Sequence, residues 1–269
     1  MKKYFSVLLT VCVLLSCLCL SALAARTGDV DYDNVVNASD ARLILRAAVG
    51  LETFDGTKTL IGDIDFDGKL TAADARLALR CAVGLENGPD RAYANEYEAF
   101  IDCHFSADMI ETADGESQKM TLAMTSDTIF ATMEMPDMNA FACSVLLKGK
   151  DAFLLFDEGK EYAKLSGDLL AMIGIDPADF ADVVSMNGYE SLSEADQTSR
   201  KSFNGIPCTV YSFIYGASRS DVYMNGKKLV AIVESGSQGT LETVFENFSV
   251  FVSSDYTDVP SDYVESTIF

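Results

Sequence analysis

The sequence predicts an α+β protein in two parts: a small all-helical unit made of two acidic loop–helix copies, then an antiparallel β half-barrel with covering helices. Three observations predict it. One loop-plus-helix pattern occurs twice at a fixed offset near the N-terminus. A breaker cluster, Asn87-Gly88-Pro89-Asp90, follows the second copy. Beyond it, short stretches of alternating apolar and polar residues are separated by turn signals. The expected organisation is a leader over residues 1–24, the loop–helix unit over 25–89 and the β-rich part over 93–269.

The leader reads from its composition. Lys2-Lys3 gives a basic start, an apolar run follows to Leu20, and Ser21-Ala22-Leu23-Ala24 supplies small residues for cleavage. The run is too short for a good membrane span. Leu14-Leu15-Ser16-Cys17 also fits a bacterial lipobox, so cleavage after Ala24 and lipidation at Cys17 both stay open. Either way the chain is expected outside the cytoplasm, secreted or held at the cell surface, with membrane attachment only through Cys17.

A formal charge of −21 repels phosphate backbones and argues against a nucleic-acid partner. It also argues against docking on anionic membranes by charge alone. It can attract divalent cations. Of the seven cysteines, Cys81, Cys103, Cys143 and Cys208 lie beyond the leader with no Cys-x-x-Cys spacing. That argues against zinc and against a dense disulfide scaffold, and leaves one or two disulfides or buried thiols open.

In the repeat, Asp29 recurs as Asp63 and Asp40 as Asp74, an offset of 34 residues. Loop positions 1, 3, 5 and 12 are carboxylates in both copies: Asp29, Asp31, Asp33 and Asp40, then Asp63, Asp65, Asp67 and Asp74. With the position-7 carbonyl of Val35 or Lys69, and position 9 (Asn37, Thr71) acting directly or through water, such a loop surrounds a hard cation with oxygen at Ca²⁺ distances. Position 6 needs a sharp turn. Gly68 suits it and Asn34 is the next most tolerant residue, so the first site is expected to be slightly less ideal. Without metal the carboxylates repel, so binding energy becomes folding energy. Each loop feeds a helix. Ala41, Ile44, Leu45, Ala48 and Val49, and Ala75, Ala78, Leu79, Ala82 and Val83, form its apolar spacing, with Gly50 and Gly84 as stops.

At these residues the chain resembles a type I dockerin, over about Thr27 to Gly88. Both loops close with Asp at position 12, and no helix-forming segment precedes the first. The resemblance implies an F-hand pair that binds two Ca²⁺ and docks on a cohesin, as in cellulosome assembly. It places partner choice just before the last ligand, at Ala38-Ser39 and Ala72-Ala73. Arg42/Arg46 and Arg76/Arg80 sit one turn apart on similar helix faces, either as partner contacts or as solvated surface.

In the second part a helix is expected from Tyr93 to Phe100. Strands are expected at Phe105–Ile110, Lys119–Met124, Thr128–Met135, Ser144–Lys148, Ala152–Phe156, Glu161–Leu165, Arg200–Phe203, Cys208–Tyr215, Asp221–Met224, Lys228–Glu234 and within Thr240–Phe251. Asn225-Gly226 is a strong hairpin signal. A helical insertion is expected over Asp168–Met186. This order resembles the lipoprotein-carrier half-barrels of the LolA/LppX-like group. The resemblance implies an apolar hollow that holds an acyl chain or another apolar ligand; Met120, Met124, Met133, Met135, Phe153 and Phe213 filling a packed core is the plainer alternative.

No nucleophile elbow, zinc-protease motif or phosphate loop occurs. His104, the single histidine, follows Cys103; on a strand the two would face apart. The expectation is a non-catalytic secreted protein whose dockerin places an interaction or ligand-binding domain on a cohesin-bearing partner. Two alternatives remain: a hydrolase or accessory module of a polysaccharide-degrading complex, and a calcium module packed internally against its own C-terminal domain.

Overall fold

The computed structural model describes residues 26–89, 91–133, 143–149, 151–165, 190–237 and 239–266. The leader, the helical insertion expected over Asp168–Met186 and the end of the strand expected to reach Met135 lie outside them.

The N-terminal part holds three helices: α1 (Ala38–Ala48), α2 (Gly56–Gly62) and α3 (Ala72–Ala82). The first and third begin in the same way, because their sequences repeat. Asn37 and Thr71 cap them, and the third helical residue, Asp40 or Asp74, accepts the cap's own N–H in a reciprocal box. Both helices stop at a glycine in the left-handed region, Gly50 (φ 74°) and Gly84 (φ 75°). Between them α2 is capped by Asp55, which accepts from Lys58 N at 2.8 Å. Its sequence, GTKTLIG, has no helical apolar period, and it went unforeseen.

The remainder is an open sheet of twelve strands, all pairs antiparallel but one. One meander runs β2 (Phe105–Ala113), β3 (Glu116–Met124), β4 (Thr128–Met133), β5 (Cys143–Lys148), β6 (Asp151–Phe156) and β7 (Glu161–Leu165). The other runs β8 (Gln197–Phe203), β9 (Ile206–Tyr215), β10 (Ser218–Asn225), β11 (Lys228–Gly236) and β12 (Gly239–Ser249). They meet where β12 pairs β2, with Val244 opposite Ile110 and Phe245 opposite Met109. Hairpins close at the expected turns, Lys148 opposite Asp151 and Asn225 opposite Lys228. At the far edge β14 (Val264–Glu265) lies parallel to β7.

Successive side chains of a strand point to opposite faces. Met124 and Ile129 face a cluster with Phe105, Phe213, Val222, Met224 and Phe245, which α4 (Glu96–Ile101) covers with Tyr97 and Phe100. Their neighbours Ala123 and Phe130 face the other way, onto Leu146, Leu155, Val252, Tyr256 and Tyr263. Among the described residues the cover is therefore one short helix on one face and the C-terminal segment on the other. Helices alone do not supply it, because the alternation of β3 and β4 leaves both faces apolar.

The helical part and the sheet share a core. Val30, Ile44, Ile61, Ile64, Phe66 and Ala78 pack with Tyr93, Ala99, Val250 and Phe251. A two-residue strand, β1 (Glu86–Asn87), pairs β13 (Val252–Ser253). Phe251 is 1 % exposed, and a Cβ at Gly88 or Gly28 would lie 3.1 or 3.2 Å from its ring. Those two glycines make its seat. Internal packing, one of the alternatives left open by the sequence, is thus present.

Candidate metal centre and docking face

Each acidic loop folds back on its own carboxylates. In the first, Asp29, Asp31, Asp33 and Asp40 bring one oxygen each within 4.8 Å of one another. Main-chain N–H groups hold both oxygens of Asp40 and of Asp29: Val30 N and Asn37 N donate to Asp40 at 2.9 Å, and Asp33 N and Asn34 N to Asp29 at 3.1 and 2.9 Å. Asn37 Nδ2 donates to Val35 O and to Asp33, each at 3.2 Å, drawing positions 5, 7 and 9 together. In the second loop Asp63, Asp65 and Asp67 converge within 4.8 Å. Asp74 accepts from Ile64 N and Thr71 N at 2.8 Å, and the Thr71 hydroxyl donates to it at 3.3 Å. Lys69 N donates to Asp67 at 2.8 Å, which turns the Lys69 segment back on the loop.

The turn at position 6 is as expected, since Asn34 (φ 69°) and Gly68 (φ 83°) both adopt left-handed backbone. The expected ranking of the loops is not what the carboxylates show: the first converges four and the second three. The second also carries something the repeat does not contain. Lys227, on the β10–β11 turn, donates to Asp63 Oδ2 at 2.7 Å. That contact spans 164 residues of chain, and no local signal could have found it.

Asp40 and Asp74 are fully buried. Burial pushes both carboxyls above their ordinary range, with Asp31 and Asp65 adding repulsion, while main-chain N–H donors pull them back. The donor set is hard oxygen with excess negative charge, and it fits a hard divalent cation, not a soft one. The third helical residue of each capping box, Asp40 or Asp74, is also the last carboxylate of the loop, so loop closure and helix start are fixed together.

The opposite side of the helices faces solvent. Ala38, Ser39, Arg42, Arg46, Ala72 and Arg76 are exposed, and Ala73 and Arg80 half-buried. Arg46 pairs with Glu52 at 3.2 Å and Arg80 with Glu86 at 2.7 Å, so the two terminal arginines also hold their own helix ends. Leu45 and Val49, and Leu79 and Val83, were expected in the apolar stripe of each helix. They lie outside the core, Val49 at 62 % and Val83 at 64 % exposure. The core buries Ala41 and Ile44, or Ala75 and Ala78, from each helix, with Leu43, Leu77 and Cys81 packed against it, so the buried face is turned away from Leu45, Val49, Leu79 and Val83. With Leu51 and Leu85 they form matched apolar spots beside the arginines.

A cavity of about 610 Å³ opens on the sheet, lined in part by Tyr97, Phe213, Leu241, Arg219 and Ser220. The Ser220 hydroxyl is buried and has no hydrogen-bond partner among the described residues. The Arg219 guanidinium is held by Asp221 at 2.7 Å and by the Ser212 hydroxyl at 2.8 Å. Cys103 and His104 occupy the turn between α4 and β2, Cys103 at φ 54°, so the strand geometry expected for that pair does not apply.

Paired acidic loops on one side of an open, mostly antiparallel sheet define an α+β protein with a metal-loop module at its N-terminus. Residues 27–78 match the type I dockerin domain family, as the repeat indicated. No curated protein matches the chain. Among solved structures, LprF from Mycobacterium bovis aligns at 14 % identity over 63 % of this chain and 94 % of its own, with a TM-score of 0.37. An uncharacterized conserved protein from Thermus thermophilus aligns at 6 % identity over 64 % and 94 %, with a TM-score of 0.34. A LolA superfamily protein from Nitrosomonas europaea aligns at 8 % identity over 59 % and 91 %, with a TM-score of 0.23. No helix among the described residues is long and apolar enough to cross a membrane.

Proposed function

We propose that this chain is a secreted, non-catalytic assembly component whose N-terminal dockerin-type module binds two Ca²⁺ and docks on a cohesin-bearing partner. The observation that supports it is the convergence of loop carboxylates, caged by main-chain N–H groups, directly behind an outward helix pair. Calcium would be held by Asp29, Asp31, Asp33, Asp40 and the Val35 carbonyl, and by Asp63, Asp65, Asp67, Asp74 and the Lys69 carbonyl. Asn37 and Thr71 would complete the shells directly or through water. Calcium supplies the charge that makes these acidic loops stable; the chain supplies the fixed oxygens and the helix starts. Docking would use Ala38, Ser39, Arg42, Arg46, Ala72, Ala73, Arg76 and Arg80. The apolar spots at Leu45, Val49, Leu79 and Val83 add contact area of the kind interfaces bury at their centres.

Native mass spectrometry of the full chain in calcium tests the first half: two Ca²⁺ per chain, lost on chelation, are expected, and no bound calcium would end this reading. Capture on an immobilised type I cohesin domain tests the second. It should need calcium and should fail when Leu45 and Leu79 are both changed to Asp. Capture unaffected by those changes would place the contact elsewhere.

A second role is favoured by the cavity. Its Tyr97, Phe213 and Leu241 lining and the unpaired Ser220 hydroxyl suit an apolar ligand with one polar group. A lipid-sized adduct on the natively purified chain, lost in Phe213→Ala, is expected. A chain free of adducts that also fails to bind an added fatty acid would leave the cavity a packing feature.

A further inference from the structure

The two acidic loops are near copies in sequence, yet their surroundings differ. The β10–β11 turn reaches across to the second loop. Gly226 (φ 63°) makes the turn, and Lys227 is fixed at its tip because its carbonyl accepts from Glu96 N at 3.0 Å. The buried Glu96 carboxyl group in turn accepts from Leu229 N at 2.7 Å, so the turn and the start of β11 are tied to α4. From this anchored backbone the Lys227 ammonium bonds Asp63 Oδ2 at 2.7 Å and lies 5.8 Å from the ring centroid of Phe66, a residue of the same loop. The Asp63 side chain is 2 % exposed and that of Lys227 is 29 % exposed. Asp63 also accepts from Gly68 N at 3.2 Å, as Asp29 accepts from Asn34 N at 2.9 Å, and Lys58 lies 5.3 Å from the ring centroid of Tyr32, the first loop's counterpart of Phe66; the Lys227–Asp63 ion pair is thus added to a shared arrangement.

We propose that Lys227 is a built-in cation of the second loop, holding that loop closed without calcium and making it the weaker of the two calcium sites. The inference rests on the calcium reading above. An ammonium at a position-1 carboxylate cancels one of the charges that would otherwise repel in the empty loop. It also repels an incoming divalent ion a few ångströms away. At the dielectric of a partly buried site, one such charge weakens binding on the order of tenfold or more. The first loop, with four converging carboxylates, is then the one that must have calcium to close.

Hydrogen exchange, read by mass spectrometry on the full chain across a calcium titration, resolves the loops separately. In wild type, residues 28–40 should gain protection at lower calcium than residues 62–74. In chelator, 62–74 should exchange more slowly than 28–40. Lys227→Met keeps the stem over Phe66 and removes the charge. It should bring the two midpoints together by about tenfold and abolish the slower exchange of 62–74 in chelator. Lys227→Arg should behave as wild type, and Lys227→Gln replaces the methionine variant if that fails to fold. Midpoints that coincide in wild type, or a gap unchanged in both uncharged variants, would overturn the role of Lys227. No calcium-dependent protection in either loop would instead overturn the calcium reading itself.

Discussion

Among single residues, Glu96 has the most consequential environment. It opens α4 with its side chain 3 % exposed, and burial raises its pKa to about 8, with Asp65 adding repulsion and Leu229 N–H and Lys228 pulling the other way. A carboxyl whose folded pKa exceeds its unfolded one contributes stability that is complete below the unfolded value of 4.5 and is lost as pH rises through about 8. One such proton gives a slope of about 1.4 kcal/mol per pH unit inside that window. Glu96→Gln keeps an acceptor for Leu229 N–H and cannot ionise. In chelator it is expected to flatten the fall in stability between pH 5 and 8, as measured by urea unfolding; a slope equal to that of wild type would contradict the assignment. The loop carboxylates were legible at this scale, because their spacing is local and each copy repeats the other. Glu96 and Lys227 were not, since each acquires its role from residues far along the chain.

At the scale of elements, turn chemistry was read well and helix faces less so. Asn225-Gly226 closes its hairpin where expected, and the strand alternation of Phe105–Ile110 and Lys119–Met124 marks real strands, extended by a few residues. The stripe that includes Leu45 and Val49 is a true helical period, but period alone cannot say which way the helix is turned. Here the buried face is turned away from both. The seam between helical part and sheet was equally hidden: β1 and β13 are two residues each, below the length at which alternation can be detected. Phe251 is the anchor of that seam. Phe251→Ala removes a fully buried ring and is expected to cost about 3–5 kcal/mol. The loss should appear as lower stability together with faster exchange in residues 26–36 and 85–89, which pack around it. Faster exchange confined to β12 would show that the seam is held by something else.

For the whole molecule, the shared core has a thermodynamic consequence. The acidic module and the sheet bury Phe66, Ile64, Tyr93, Val250 and Phe251 in one cluster, so neither can lose its structure without exposing part of the other. Calcium should therefore shift a common thermal transition instead of adding a separate one, by about 2.7 kcal/mol per site at a hundredfold excess over Kd. Differential scanning calorimetry with and without chelator checks this; two transitions, one of them insensitive to calcium, would mean that the parts melt independently. The overall class, a helical acidic unit followed by an antiparallel sheet, could be read from repeat and alternation. The way the eleven strands of the two meanders join across the β2–β12 seam could not, because that pairing is set by global packing.

The parallel pair among the described strands, β14 on β7, bears on how the edge of the sheet is covered. An uncovered edge strand offers its peptide groups as a template on which another chain can stack. β7 reads Glu-Tyr-Ala-Lys-Leu, with Ala163 and Leu165 buried, and Val264 N and Ser266 N occupy two of its neighbouring carbonyls, at Lys160 and Tyr162. Lys160 and Asp262 form an ion pair across the same contact. β14 thus covers part of the β7 edge, the placement that blunts strand-to-strand stacking. Clipping the chain after Tyr263 removes β14 and keeps Val259 and Tyr263 on the sheet; it should leave the sheet folded and make it prone to form oligomers through β7, visible as light scattering that grows with concentration.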